Sequence, residues 1–280
     1  MSASLTEQEL AAGVAELPPV STVLHRLLEV LEDPDSDLDD ITRLIRAETA
    51  LSAQVLRLAN SAHFAMPEPA GSIADAVQRL GAAEVHGLVA TLASRQLMLR
   101  SLDHYGITAA QLWQHALAVA VSAETVAINA GADRALAYLS GILHPVGMIV
   151  LDRIARMREL YPRSGDKPLQ EWEGENFDTD NAAVASHVLQ QWKFPDNIAF
   201  SVAGRYMPEQ AEEWIAGARI LRVASCMAGS LDAGIESERG LFRVTPEVVS
   251  SAGIGFQEYS DIVVEAGQRL LRTQTLLDLA

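Results

Sequence analysis

Two histidines, His115 and His144, carry the clearest chemical potential in this chain. His144 stands in the run Ala137-Tyr138-Leu139-Ser140-Gly141-Ile142-Leu143-His144-Pro145-Val146-Gly147-Met148-Ile149-Val150-Leu151. A histidine in such an apolar helical run is either a core residue with both ring nitrogens satisfied or a metal ligand. An Asp after it would give a His-Asp pair of the kind that holds metal. Pro145 follows instead, and it brings no ligating atom and no backbone N–H.

Other candidate chemistry is weaker. Asp35, Asp37 and Asp39 have the opening spacing of a calcium loop, but Asp40 and Arg46 stand where that loop needs Gly and a bidentate Glu. They read better as an acidic helix start favoured by the macrodipole. Cys226 is the only cysteine, so no intrachain disulfide forms, and its apolar setting predicts a buried, inert thiol. Gly253-Ile254-Gly255 lacks the third Gly and preceding strand of a dinucleotide loop. The four tryptophans, Trp113, Trp172, Trp192 and Trp214, are scattered as core anchors. His86 and His104 read as surface or helix-end residues.

The elements that must position these groups are helical. Leu5 to Val14 forms an opening helix, broken at Leu17-Pro18-Pro19-Val20. Ser21 or Thr22 caps the next, where Leu24, Leu27, Leu28 and Leu31 repeat at helical spacing. Helices follow through Ile41, Leu44 and Ile45, and through Leu51, Val55 and Leu58. Ser72 caps Ile73 to Leu80, and a long helix covers Glu84 to Leu102. Thr108 caps a helix carrying His115 that ends near Gly131. Arg134 to Leu143 then runs back antiparallel, which brings His144 toward His115. Asp180 caps Ala182 to Trp192. Helices also fit Ile198 to Arg205, Glu209 to Ser230 and Phe256 to Leu279, whereas Leu231 to Thr245 is Gly-rich and irregular. Pro145 predicts a helix boundary between Leu143 and Val146, with Pro145 opening the second helix. Leu270, Leu271, Leu276, Leu277 and Leu279 exceed one buried stripe and predict an exposed apolar patch.

Several stretches form a recognisable series: Leu17-Pro18-Pro19-Val20, Asp33-Pro34-Asp35, Gln54-Val55-Leu56-Arg57-Leu58-Ala59-Asn60-Ser61-Ala62, Ser72-Ile73-Ala74-Asp75-Ala76-Val77 and Leu80-Gly81. Together they resemble the HDOD family, bacterial signal-output modules related to the HD-domain metal phosphohydrolases. Order and spacing agree over roughly Leu17 to Pro208. Glu48-Thr49 departs from the family's usual Asp-Pro. By this resemblance His115 is the first histidine of the HD set and His144-Pro145 replaces the His-Asp pair. Asn181 stands for the next His, Arg205-Tyr206 for a His-His, and Ser225 for the late Asp. Metal-assisted hydrolysis needs a cation held by several imidazoles and carboxylates. Two imidazoles remain here and no carboxylate. Glu124, Glu173 and Glu175 are candidate replacements. His115 and His144 then read as a hydrogen-bonded core pair, with a vestigial ligand pair or an anion site with Arg205 as the other readings.

Composition agrees with an all-α fold: 49% of the 280 residues are hydrophobic but only 5% aromatic, so aliphatic side chains must fill the core. We expect an HD-like helical bundle with an N-terminal helical subdomain, divided as 1–104 and 105–280. The net charge of −16 repels phosphate backbones and anionic lipids. Lys occurs only at Lys167 and Lys193, a bias read as codon usage before phosphate recognition. No secretory signal opens the chain and no apolar run of about 18 residues escapes a charge, so a cytoplasmic bacterial protein is expected. The resemblance implies a non-catalytic signal-transduction module acting through protein contacts, with no metal and no cofactor. A protein partner is expected, homo-oligomer formation stays open, and DNA, RNA and membrane are not expected partners. A metal-dependent phosphohydrolase of nucleotides or cyclic dinucleotides and a small-anion or nucleotide sensor are the alternatives.

Overall fold

The computed structural model describes residues 4–18, 22–33, 35–61, 68–165 and 167–278. In chain order the helices are α1 (Glu7–Ala15), α2 (Thr22–Glu32), α3 (Leu38–Arg46), α4 (Thr49–Ala59), α5 (Ile73–Leu80), α6 (Ala82–Arg95), α7 (Ala109–Ala130) and α8 (Arg134–Leu143). They continue as α9 (Val146–Met157), α10 (Leu169–Phe177), α11 (Asn181–Gln191), α12 (Asp196–Ala203), α13 (Ile215–Ser230), α14 (Pro246–Ser251) and α15 (Tyr259–Asp278). Short 3-10 turns lie at Gln96–Met98, Pro208–Gln210, Glu212–Trp214 and Glu236–Glu238. Among the described residues there is no strand, only an isolated bridge between Leu102 and Ile107. The all-α expectation holds.

Contacts group the chain into two interleaved units. Residues 1–19 and 95–267 form one, and 20–94 with 268–280 form the other. The sequence suggested two consecutive stretches; the grouping in space is discontinuous because α1 packs on α9. A Cβ on Gly13 would meet Ile154 Cγ1 at 3.0 Å, so glycine lets the two helices approach. Arg158 adds a hydrogen bond from Nε to Glu9 Oε1 at 2.7 Å.

In the smaller unit, α3, α4 and α5 pack on one another. They bury Ile41, Leu44 and Ile45, then Leu51, Val55 and Leu58, then Ile73, Val77 and Leu80. Asn60 closes α4 and is tied to Ala70: its Nδ2 donates to Ala70 O at 3.2 Å and its Oδ1 accepts from Ala70 N at 2.6 Å. Asp37 accepts from the Asp39 and Asp40 amides at the start of α3, so it acts as a helix cap. Val20, Ser21 and Leu279 lie outside the described residues.

In the larger unit, α7 is the central helix. Thr108 and Gln111 close a capping box at its start, and Gly131 ends it in the left-handed conformation. It is buried almost all round from Leu112 to Ala127 and packs chiefly against α8 and α13. Small residues permit the approach: a Cβ on Gly141 would lie 2.5 Å from Ala120 Cα. The stretch Arg134–Met157 is long and apolar enough to cross a membrane by composition, but 89% of its most apolar window is buried inside the protein.

Some expectations need correction. The long helix from Glu84 ends at Arg95 and gives way to a 3-10 turn. His104 is not a surface residue: its backbone N–H donates to Asp152 Oδ1 at 2.8 Å and its Nδ1 lies 3.1 Å from the same oxygen. The tight turn bridged by Leu102 and Ile107 presents it to α9. On α15, Leu270 and Leu277 are buried and Leu271 is 67% exposed. The exposed patch expected there therefore shrinks, since two of its leucines belong to the core.

Candidate functional site

The helix break at Pro145 sets the site. α8 ends at Leu143 and α9 begins at Val146, as expected, but the reason differs. His144 keeps helical angles, φ −55° and ψ −29°, and Pro145 precedes α9 instead of opening it. In an unbroken helix the N–H of residue 145 would donate to the carbonyl of Gly141. Proline has no N–H, and the His144 ring takes the vacated acceptor, with Nδ1–H donating to Gly141 O at 2.7 Å.

His115, on α7, is pinned in the same way. Its Nδ1–H donates to Ala233 O at 2.9 Å. The two rings meet edge to face, with centroids 5.1 Å apart, and their Nε2 atoms face each other at 3.2 Å. Both Nδ1 atoms already carry protons toward carbonyls, so two neutral rings would point lone pairs at each other. Glu238 Oε2 lies 3.4 Å from His115 Nε2. Burial keeps His144 neutral, pushing its pKa well below the usual imidazole range, and the Arg205 charge adds to the effect.

Glu238 is the residue the sequence reading missed. It lies in the 3-10 turn Glu236–Glu238, within a segment read as irregular, and it is 4% exposed. Burial raises its carboxyl, but the Arg205 charge and His115 outweigh that and hold it below the usual carboxylate range. Arg205 Nη2 donates to Glu238 Oε1, to Tyr206 OH and, at 2.8 Å, to Asn181 Oδ1. The guanidinium lies 4.2 Å from the Tyr206 ring centroid and 5.6 Å from that of Phe242. Tyr206 OH donates to Glu238 Oε1 at 2.7 Å. No local pattern announces Glu238; the only cue was Arg205 itself, since a buried arginine requires a carboxylate.

The network continues through Asn181 to a second buried acid. Asn181 N and Nδ2 both donate to Glu173, at 3.0 and 2.9 Å, and Tyr105 OH donates to Glu173 Oε1 at 2.7 Å. Burial raises the Glu173 carboxyl to about 7 against these donors. Five of the expected residues, His115, His144, Asn181, Arg205 and Tyr206, thus share one buried polar cluster, the histidines joining it through the His115–Glu238 contact, and Pro145 frees the carbonyl that fixes one ring. Ser225 stays apart, its hydroxyl donating back to Leu221 O at 2.9 Å. Of the other carboxylates considered, Glu124 binds Arg134 at 2.9 Å and Glu175 binds Lys167.

The metal site of HD enzymes does not fit this donor set. The 3.2 Å between the Nε2 atoms suits a shared proton and would also suit two ligands of one ion, so distance alone decides nothing. The charges do. Arg205 already neutralises the buried Glu238 carboxylate, and Glu238 Oε2 approaches His115, not both rings. Among the described residues no three His, Cys, Asp or Glu side chains are gathered as a cation requires. A divalent ion beside the Arg205 guanidinium would leave positive charge uncompensated in a site with no exposure.

The relatives of the chain agree with its fold. A structure of an HDOD domain protein from Geobacter sulfurreducens superposes with a TM-score of 0.71 at 23% identity, covering 98% of this chain and 96% of that one. A Marinobacter aquaeolei VT8 protein provisionally named for signal transduction gives 0.72 at 21% identity, covering 97% of this chain and 65% of its own. A Shewanella amazonensis SB2B protein provisionally named a phosphohydrolase gives 0.69 at 25% identity, covering 97% and 98%. An uncharacterized protein of Treponema pallidum (strain Nichols) is 26% identical over 225 residues, which is 74% of this chain and 42% of that protein. The chain therefore spans less than two thirds of some relatives. The HDOD domain family matches residues 17–208, the stretch that contributes both histidines, Asn181, Arg205 and Tyr206, and the chain belongs to that family.

Proposed function

We propose that this chain is a bacterial, cytoplasmic signal-transduction module that works by contact with a protein partner, and that its HD-type site is structural, not catalytic. One observation carries the reading: the buried Arg205–Glu238 pair. A metal-dependent hydrolytic centre needs a cation and a bound water of lowered pKa. Here a fixed guanidinium supplies the positive charge, and its partners are a carboxylate, an amide and a phenol. A guanidinium activates no water, and it cannot change its coordination during a reaction. The cluster instead links α7, α8, α11 and the segments around Arg205 and Glu238 through buried polar contacts.

The test is an assay of the purified protein against phosphomonoesters and phosphodiesters with added manganese, iron or magnesium, paired with elemental analysis. We expect no turnover and no stoichiometric metal. Metal-dependent hydrolysis abolished by His144→Ala would establish the hydrolase instead. A thermal shift on adding nucleotides, without turnover, would favour the sensor.

A further inference from the structure

Beyond the buried cluster, the same stretch of chain builds a concave surface. α12 ends at Ala203, Arg205 and Tyr206 turn into the cluster, and Met207 turns outward with 58% of its surface exposed. The chain then winds through the 3-10 turns Pro208–Gln210 and Glu212–Trp214 before α13. Phe200, Met207, Ala211, Glu212, Glu213 and Trp214 line a cavity of about 370 Å³ against α12, and both glutamates are exposed.

Its shape is fixed from both sides. Tyr206 is held through its hydroxyl, and its carbonyl accepts from Arg222. Gly204 lets the wall close up, since a Cβ there would lie 2.6 Å from Ala211 Cβ and 2.8 Å from Ala218 Cβ. Glu212 sits at φ +48°, a left-handed conformation that a non-glycine residue adopts only at a cost. An exposed methionine beside aromatic rings is an adaptable apolar contact surface, and two free-standing acids beside it set the charge of what fits.

We infer that this groove docks a basic amphipathic segment of a partner protein, which places an apolar side chain against Met207 and Trp214 and Lys or Arg against Glu212 and Glu213. The inference rests on the reading that the chain signals through protein contacts, and it names the surface and the chemistry of the partner. Charge complementarity selects the occupant. An acidic segment would meet Glu212 and Glu213 in a chain of net charge −16, and a second copy of this chain would bring the same negative charge.

The experiment uses the full chain and two fluorescent helical peptides of about 14 residues, with identical leucine positions and either all-Lys or all-Glu polar positions. Fluorescence anisotropy should show binding of the Lys peptide and not of the Glu peptide. Met207→Glu and the double variant Glu212→Lys/Glu213→Lys should each weaken it about tenfold, as expected for losing a central contact or reversing the glutamate charges. A control reverses two exposed acids elsewhere, Glu16→Lys and Glu29→Lys, and should change affinity less than twofold. Thermal melting confirms that each variant is folded. Absence of Lys-peptide binding, or equal loss in the control, would overturn the groove assignment. Neither result touches the wider reading, which the hydrolysis assay decides separately.

Discussion

At the scale of single residues, the cluster is a problem of charge and proton count. Gly141 offers a carbonyl because Pro145 has no N–H to claim it, and His144 takes it. The two Nε2 atoms then face each other at 3.2 Å, with Glu238 3.4 Å from His115. Arg205 and Glu238 are both almost wholly buried, so removing one strands the other. Arg205→Met should cost about 3–5 kcal/mol of stability, the usual loss when one partner of a buried pair is removed. The double variant Arg205→Met/Glu238→Gln should recover a large part of that loss. Urea denaturation of the two single variants and the double variant completes the cycle. Losses that simply add would mean that the two residues do not act as a pair.

At the scale of elements, close approach between helices places Asn181 in the cluster. A Cβ on Gly147 would lie 1.8 Å from Asn181 O and 2.8 Å from Ala185 N, so α9 crosses α11 with almost no space between backbones. That crossing sets Asn181 beside Arg205 and Tyr206. Gly147→Ala should force the helices apart and cost about 1–3 kcal/mol or more, as overpacking does. It should also perturb Asn181, which hydrogen-deuterium exchange at the start of α11 would report. An Ala variant with unchanged melting and exchange would show that the backbone yields locally. The helix starts were legible from sequence for a simple reason. Thr108, Asp180 and Ser72 each accept from the amide three residues on, and such short-range signals need no tertiary partner.

At the scale of the whole molecule, the buried groups set how stability responds to pH. Glu173 titrates at about 7 in the folded protein against an ordinary 4.5. The folded state holds its proton more tightly, so stability falls as pH rises from 4.5 to about 7, by about 3 kcal/mol at roughly 1.4 kcal/mol per pH unit. His144 acts in the opposite sense below 6.5, because folding keeps it neutral where the unfolded chain would protonate it. Glu238, held below 4.5, stabilises at higher pH, and that contribution is lost as pH falls through its lowered pKa. The informative quantity is therefore a difference. Wild type minus Glu173→Gln should lose melting temperature steadily between pH 5 and 7.5. A constant difference over that range would show that the Glu173 carboxyl is not raised.

The sequence by itself determined most of the helices, the caps at Ser72, Thr108 and Asp180, the break at Pro145 and the approach of His115 to His144. All of these follow from periodicity, capping and one short antiparallel connection, which act over a few residues. It did not determine α10 or α14, nor the 3-10 turns that precede α13 where one helix from Glu209 was expected. Only the tertiary structure decided what the histidines face. Arg205 and Glu238 are 33 residues apart, and His115 and the Ala233 carbonyl that orients it are 118 apart. The grouping of α1 with α9 is longer-ranged still, through Arg158 and Glu9. A carboxylate in an irregular segment has no periodicity to mark it. Its partner is chosen by the path of the chain and by the electrostatic cost of leaving a buried guanidinium alone, and neither is written in the residues on either side of it.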